Sequence, residues 1–315
     1  MEWYLSPIIF FPIVIIASLY VIFKSADLLV YGVSRYSKKL GMSESTSGLL
    51  VVALAASMPE IVSSFMGINI NDIGVGLGAI LGTNMVHLVL LLGVVMVVGK
   101  NIQLQSEVIK KIQWLLLIVL LLPLILLLDK KLSRIDGIIL LLAFAFYLKR
   151  VWNEEGKLGK LHNVPAKKLL KDGAVFLGAL AAMLLAGRML AYSTSILAGI
   201  FDIPSYLLAI TIIGVGAAIP DFAVNLRAVM KSHTGVGVGE SLGSVAIELC
   251  LYFGLIGIFF PFSFESNAAL ITILFLIAGL LTLMYLIHKG KANWKHGIAL
   301  IGMYAIFIIV QIMMM

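Results

Sequence analysis

Two stretches decide the reading, "GLLVVALAASMPE" at residues 48–60 and "AITIIGVGAAIPD" at residues 209–221. Each is an apolar run that ends in proline followed at once by an acid, and the two stand 161 residues apart, so that Pro59 matches Pro220 and Glu60 matches Asp221. The same offset aligns "GAILGTNMVH" (78–87) with "GESLGSVAIE" (239–248), which matches Gly78 with Gly239, Gly82 with Gly243, Thr83 with Ser244 and His87 with Glu248.

The surroundings are those of a membrane protein. Of 315 residues, 61% are hydrophobic and 12% charged, and the mean hydropathy is +1.10. A soluble domain carries about 25% charged residues. A hydrocarbon layer takes roughly 20 apolar residues per helical crossing. Ten spans follow, at about 7–33, 44–67, 74–98, 108–128, 132–149, 169–198, 204–230, 236–261, 266–287 and 293–314. This composition excludes a soluble enzyme, a nucleic-acid-binding module and a disulfide scaffold. The single cysteine, Cys250, has no partner for an internal disulfide. Met1 to Pro7 holds Glu2 but no Lys or Arg, which reads against a cleaved signal.

The longest polar connection, Lys149 to Lys171, divides the spans five and five. The net charge of +7 is read as an orientation signal. With the central connection in the cytoplasm, 18 Lys and Arg fall in inside loops and three, Lys130, Lys131 and Arg134, outside. Both termini are then expected outside a multi-pass cell-membrane protein. Because five spans, an odd number, separate the copies, the repeats run in opposite directions. The expected fold is all-α, with about ten transmembrane helices in two inverted five-helix repeats. Residues 1–150 form the first repeat, 151–168 a short basic connection and 169–315 the second. Inverted repeats place a transport site near the midplane, at their interface.

Proline inside a span removes a backbone donor and frees carbonyl oxygens that can face a cation. Pro59 with Glu60 and Pro220 with Asp221 therefore read as two half-sites of hard oxygen ligands, suited to Ca²⁺. Thr83 and His87 are four residues apart and share a helical face, as do Ser244 and Glu248. The glycines suit close helix packing, but packing does not account for Glu248. A carboxylate at bilayer depth opposes insertion by about 2.5–3.5 kcal/mol, so Glu60, Asp221 and Glu248 together oppose it by roughly 8–10 kcal/mol unless protonated or neutralised.

On these motifs, "ALAASMPEIVSS" with "GAILGTNMVHLVLLLG" and "GVGAAIPDFAVN" with "GESLGSVAIELCLYFG", the chain resembles the sodium/calcium exchangers of the calcium/cation antiporter superfamily, in particular their compact prokaryotic members. The sequence-specific part covers residues 48–93 and 209–254. The resemblance implies a four-lobed ion site enclosed by the repeat helices, with the first and sixth helices sliding to alternate access. It assigns Glu60 and Asp221 as the principal acidic ligands and His87 and Glu248 to the polar or acidic positions of the third and eighth helices. Ser57, Thr83 and Ser244 become accessory oxygen ligands. The family has Gly-Thr-Ser before its hydrophobic-Pro-acid unit, whereas this chain has Ala55-Ala56-Ser57 and Gly216-Ala217-Ala218, so three of four hydroxyls are missing. The carbonyls of Ala53 and Gly214 are the substitutes at hand. His87 stands where the family has Asn or Asp. Imidazole is a poor sodium ligand and a good proton acceptor near neutral pH, which points to protons, or a softer ion such as Mn²⁺, as partners.

His87 also reads as a satisfied structural histidine, and its match to Glu248 favours a working role. Asn225, one turn beyond Asp221, is an accessory-ligand candidate. Asn84 reads as a cap or support for a neighbouring helix, Glu240 as a helix-terminal acid or a carboxylate on the access path, and Asp27 with Arg188 as an interhelical ion pair. The expectation is a non-enzymatic antiporter with no cofactor. It carries Ca²⁺ first, or Mn²⁺ or Mg²⁺, against Na⁺ or H⁺, and functions as a monomer in the lipid bilayer with no nucleic-acid partner. A passive cation channel and an intramembrane enzyme using two acids are the rival classes, and no further catalytic motif supports the second.

Overall fold

The computed structural model describes residues 7–39, 57–103, 107–155, 166–230 and 241–314. Long uncharged apolar runs leave a backbone in lipid with no water to bond, and the helix satisfies it within the segment. The described chain is accordingly almost all helix. In order it forms α1 (Pro7–Lys39), α2 (Met58–Asn69), α3 (Ile73–Gly99), strand β1 (Asn101–Gln103), α4 (Glu107–Leu126), β2 (Lys131–Leu132), α5 (Arg134–Glu155) and α6 (Ala166–Phe201). There follow α7 (205–230), α8 (Ser241–Phe259), β3 (Phe262–Ser263), α9 (Asn267–Lys289), β4 (Lys291–Asn293) and α10 (Trp294–Met313).

Seven of these helices, α1, α3, α4, α6, α8, α9 and α10, are long and apolar enough to cross a membrane. The other three expected spans differ for identifiable reasons. Span 44–67 is described only from residue 57. Span 132–149 becomes α5, where Arg134 and Asp136 at one end and Lys149 and Arg150 at the other shorten the uncharged stretch. Span 204–230 becomes α7, whose apolar part is Ser205–Ile219, ahead of Asp221.

Burial sets the layers. The apolar windows of α3 and α8 are 83% and 78% buried, against 22% for α1 and 28% for α10. A helix that is apolar all round belongs inside, and α3 is enclosed almost without interruption from Val75 to Met96. Around it, α1 and α6 lie along each other with their own apolar cluster, in which Ile15, Ile22, Met183 and Leu190 pack with Val62, Val75, Ala79 and Ile213. The periphery turns Ile16, Leu142, Leu185 and Ile298 outward, a large apolar surface of the kind that faces lipid.

Three π-type turns interrupt the α geometry: Val86–Leu91 in α3, Ala209–Ile213 in α7 and Ile247–Tyr252 in α8. The first and third coincide at the 161 offset. Two small antiparallel ribbons follow the same relation. β1 pairs with β4, placing Asn101 opposite Asn293 and Ile102 opposite Ala292. β2 pairs with β3, placing Leu132 opposite Phe262 and Lys131 opposite Ser263. Shifting each member of the first ribbon by 161 residues into the other half reproduces the pairs of the second.

Where α3 crosses α7, the contact is backbone on backbone. A Cβ added to Gly214 would stand 2.8 Å from the carbonyl carbon and 2.9 Å from the Cα of Gly82, and one added to Gly82 would stand 2.7 Å from the carbonyl oxygen of Ile210. Small residues at this crossing bring the polar side chains of α3 against those of α7 and α8.

Candidate cation site

The polar groups of the buried centre come from both halves of the chain. On α3, Thr83, Asn84 and His87 occupy one face over the last α turn and the start of the π turn, and each is almost wholly buried. On α8, Glu248 lies within the matching π turn and has no exposed surface. On α7, Asp221 sits near the middle of Gly214–Met230 with its side chain 17% exposed. A π turn widens the helix and is frequent at functional sites. Here two such turns carry two of the candidate groups.

The His87 imidazole lies between the two acids. Its Nε2 is 2.8 Å from Asp221 Oδ2 and its Nδ1 is 3.8 Å from Glu248 Oε1. Asn84 Nδ2 donates to Glu248 Oε2 at 3.0 Å and to the Ile80 carbonyl at 2.8 Å. Ser57, also buried, lies beside Glu248. Among the described residues, Glu248 Oε1, Asn84 Oδ1, Asn225 Oδ1 and Ser57 Oγ are buried without a hydrogen-bond partner. Each such group costs on the order of 1–3 kcal/mol of desolvation, so oxygens gathered beside two acids form a region that favours a cation. No three of the His, Cys, Asp and Glu groups among the described residues converge on one point at metal-binding distance. The imidazole bridges Asp221 and Glu248 instead.

The remaining expected residues are distributed around this core. Thr83 donates to the Ala79 carbonyl at 2.9 Å on its own helix, which leaves its oxygen lone pairs for another partner. Ser244 is buried on α8 one turn before Glu248. Asn225 donates to the Asp221 carbonyl at 3.0 Å, bracing the turn that carries the acid. Glu60 falls in the first turn of α2, on the side of the helix start marked by Pro59. The side chains of Pro59, Glu60 and Pro220 lie outside the described part, as do Ala53 and Glu240. The Tyr252 hydroxyl donates to the Ile61 carbonyl, which ties the α8 π turn to the residue after Glu60.

One sequence expectation is narrowed and another corrected. Of the two roles read for Asn84, cap or support of a neighbouring helix, the structure shows a bond across to the carboxylate of Glu248 on α8 and no cap among the described residues. Asp27 and Arg188 are both exposed, and no ion pair joins them. Sequence symmetry relates their positions but does not place their side chains together. Asp72 escaped sequence reasoning altogether. It caps α3 by accepting from the Val75 N–H at 3.1 Å, and it also accepts from Ser195 Oγ of α6 at 2.6 Å and Ser205 Oγ of α7 at 2.7 Å. An Asp just before an apolar run was the available signal for the cap. Nothing in the spacing announced its two serine partners.

The chain's similarities agree with this architecture. The sequence profile of the sodium/calcium exchanger protein family matches residues 10–152 and 172–313. The inner membrane protein YrbG of Escherichia coli (strain K12) is 28% identical over 259 residues, which are 78% of this chain and 79% of that protein. A putative antiporter, CaxA of Alkalimonas amylolytica, is 27% identical over 273 residues, covering 82% of this chain and 83% of its own. Among solved structures, the crystal structure of an H⁺/Ca²⁺ exchanger, CAX, superposes with a TM-score of 0.77 at 16% identity, over 96% of this chain and 87% of the other. At that identity the likeness is one of fold.

Proposed function

The chain belongs to the sodium/calcium exchanger protein family, and from that premise we propose that it is a secondary active antiporter. It moves a divalent cation, Ca²⁺ first, across the membrane in exchange for Na⁺ or H⁺ by alternating access. The observation that carries this reading is the meeting of the halves at the buried centre: Asn84 and His87 of the first face Asp221 and Glu248 of the second, within contact distances of 2.8–3.8 Å.

In the architecture we propose, about ten transmembrane helices form two inverted five-helix repeats, residues 1–150 and 169–315, joined by a short cytoplasmic connection at 151–168, with both termini outside. The coincident π turns and the interchanging ribbons support the repeat. A chain whose halves are related by a two-fold axis in the membrane plane presents equivalent half-sites to its two sides, the geometry that alternating access requires. The protein functions as a monomer.

Glu60, Asp221 and Glu248 supply the charge of the ion site, and Ser57, Thr83, Ser244 and Asn225 supply neutral oxygens. Like charges in one low-dielectric space cannot all persist without a counter-charge. Divalent ion and counter-ion therefore compete for the same carboxylates, and movement between inward-open and outward-open states requires one or the other. His87 gives way when the divalent ion binds between Asp221 and Glu248.

A second reading is favoured by one specific observation. The ring nitrogens of His87 contact both acids, where a sodium site would need oxygens, and this favours proton coupling and admits Mn²⁺ or Mg²⁺ as the carried ion. Reconstituted uptake of Ca²⁺, Mg²⁺ and Mn²⁺ under separately imposed Na⁺ and proton gradients tests both readings. Uphill divalent movement driven by either gradient is expected. Only downhill movement would identify a passive channel instead.

A further inference from the structure

Asn84 has two neighbours that can only be bonded one way. The Ile80 carbonyl accepts and never donates, so the atom of Asn84 that faces it at 2.8 Å is the NH₂ group. The same nitrogen reaches Glu248 Oε2 at 3.0 Å, and both of its hydrogens are thereby used. One oxygen of Glu248 is held against the wall of α3. The other, Oε1, has no hydrogen-bond partner among the described residues and faces the His87 ring and the space beside Asp221. The residue at the matched position of the second half is Val245, whose side chain has no donor for an equivalent bridge.

Glu248 has one more rotatable bond than Asp221, and fixing a glutamate side chain costs rotamer freedom that a shorter acid does not have to lose. A neutral donor that fixes it beforehand removes that cost from ion binding, as preorganisation does in general. An amide suits this task better than Lys or Arg, because it adds no positive charge to compete with the ion. Asn84 also leaves its own Oδ1 buried and unbonded.

We propose that Asn84 is a positioning residue of the cation site, pinning one oxygen of Glu248 so that the other is presented to the divalent ion. The proposal rests on the antiporter reading above. It assigns Asn84 a role in affinity and none in movement between the two access states.

Two variants of the full chain separate this role from simple helix support. Asn84→Ser keeps a hydroxyl that can bond back to the Ile80 carbonyl, as serine does four residues along a helix, but is too short to reach Glu248. Asn84→Val installs the residue of the matched position. Uptake of Ca²⁺ and of Mn²⁺ is measured in proteoliposomes across a range of concentrations. In both variants the half-saturating concentration should rise about tenfold, the effect expected from losing one hydrogen bond to a charged group, while the maximal rate per folded protein stays within about threefold. Asn84→Ser with wild-type half-saturation would overturn the proposal. So would a loss of maximal rate at unchanged half-saturation. Absence of gradient-driven divalent uptake by the wild type would instead sink the antiporter reading itself.

Discussion

Substituting Gly214 by alanine adds one methyl group at the point where α3 and α7 touch. Its Cβ would lie 2.8 and 2.9 Å from main-chain carbons of Gly82, whereas carbon atoms at ease stay about 3.5–4.0 Å apart. The opposing atoms are backbone, so no rotamer change relieves the overlap and the helices must part by roughly 0.7–1 Å. Overpacking of this kind costs about 1–3 kcal/mol. The separation falls directly on the site, because α3 carries Asn84 and His87 and α7 carries Asp221. A His87–Asp221 contact of 2.8 Å stretched by that amount leaves hydrogen-bonding range. If even about 1.4 kcal/mol of the strain is charged to the bound state, the half-saturating Ca²⁺ concentration in proteoliposomes rises tenfold. Gly178, on α6, is the control: nothing lies within 4 Å of a Cβ built there. Gly178→Ala should keep wild-type transport and gain up to about 1 kcal/mol of helix stability. If Gly214→Ala transported with wild-type half-saturation, the packing argument for the site would be refuted.

Other consequences are as direct. His87→Asn replaces the ring that bridges Asp221 and Glu248 by an amide that takes no proton near neutral pH, so sodium should gain effect as a driving ion at the expense of protons; divalent uptake under separately imposed sodium and proton gradients measures this, and unchanged coupling would show that the ring takes no part in choosing the driving ion. Asp72→Ala removes an N-cap and the bonds to Ser195 and Ser205, a loss of about 1 kcal/mol for the cap and about 1 kcal/mol more for each side-chain bond. Hydrogen exchange should then quicken at the start of α3 and at Ser195 on α6, with the α4–α9 contact unaffected; unchanged exchange at both ends would show that Asp72 does not join them.

Much of the fold was legible because its signals are local or periodic. Apolar run length marked the seven helices long and apolar enough to cross a membrane, and the 161-residue offset that matches Pro59-Glu60 with Pro220-Asp221 also relates two of the π turns and the two ribbons. The four-residue spacing placed His87 with Thr83 and Glu248 with Ser244. What escaped depends on contacts between distant helices. Asn84 read as a cap or support for a neighbouring helix, and only the α3–α8 crossing shows that the nitrogen that meets the Ile80 carbonyl also reaches the carboxylate of Glu248. The π turns at Val86–Leu91 and Ile247–Tyr252 have no compositional mark, since the residues that form them would form an α-helix equally well. Asp27 and Arg188 show the converse: matched positions and opposite charge imply nothing about contact when both side chains point outward. Thr83 shows that a hydroxyl in an apolar helix bonds first to the carbonyl four residues back.

The most direct test of the central claim is Ca²⁺ accumulation against its gradient in proteoliposomes energised only by an imposed Na⁺ or proton gradient, comparing wild type with Glu60→Gln and Asp221→Asn. Wild type should accumulate Ca²⁺, and both variants should be folded and inactive, because each removes one of the charges proposed to bind the ion. Undiminished accumulation in the two variants would contradict the account.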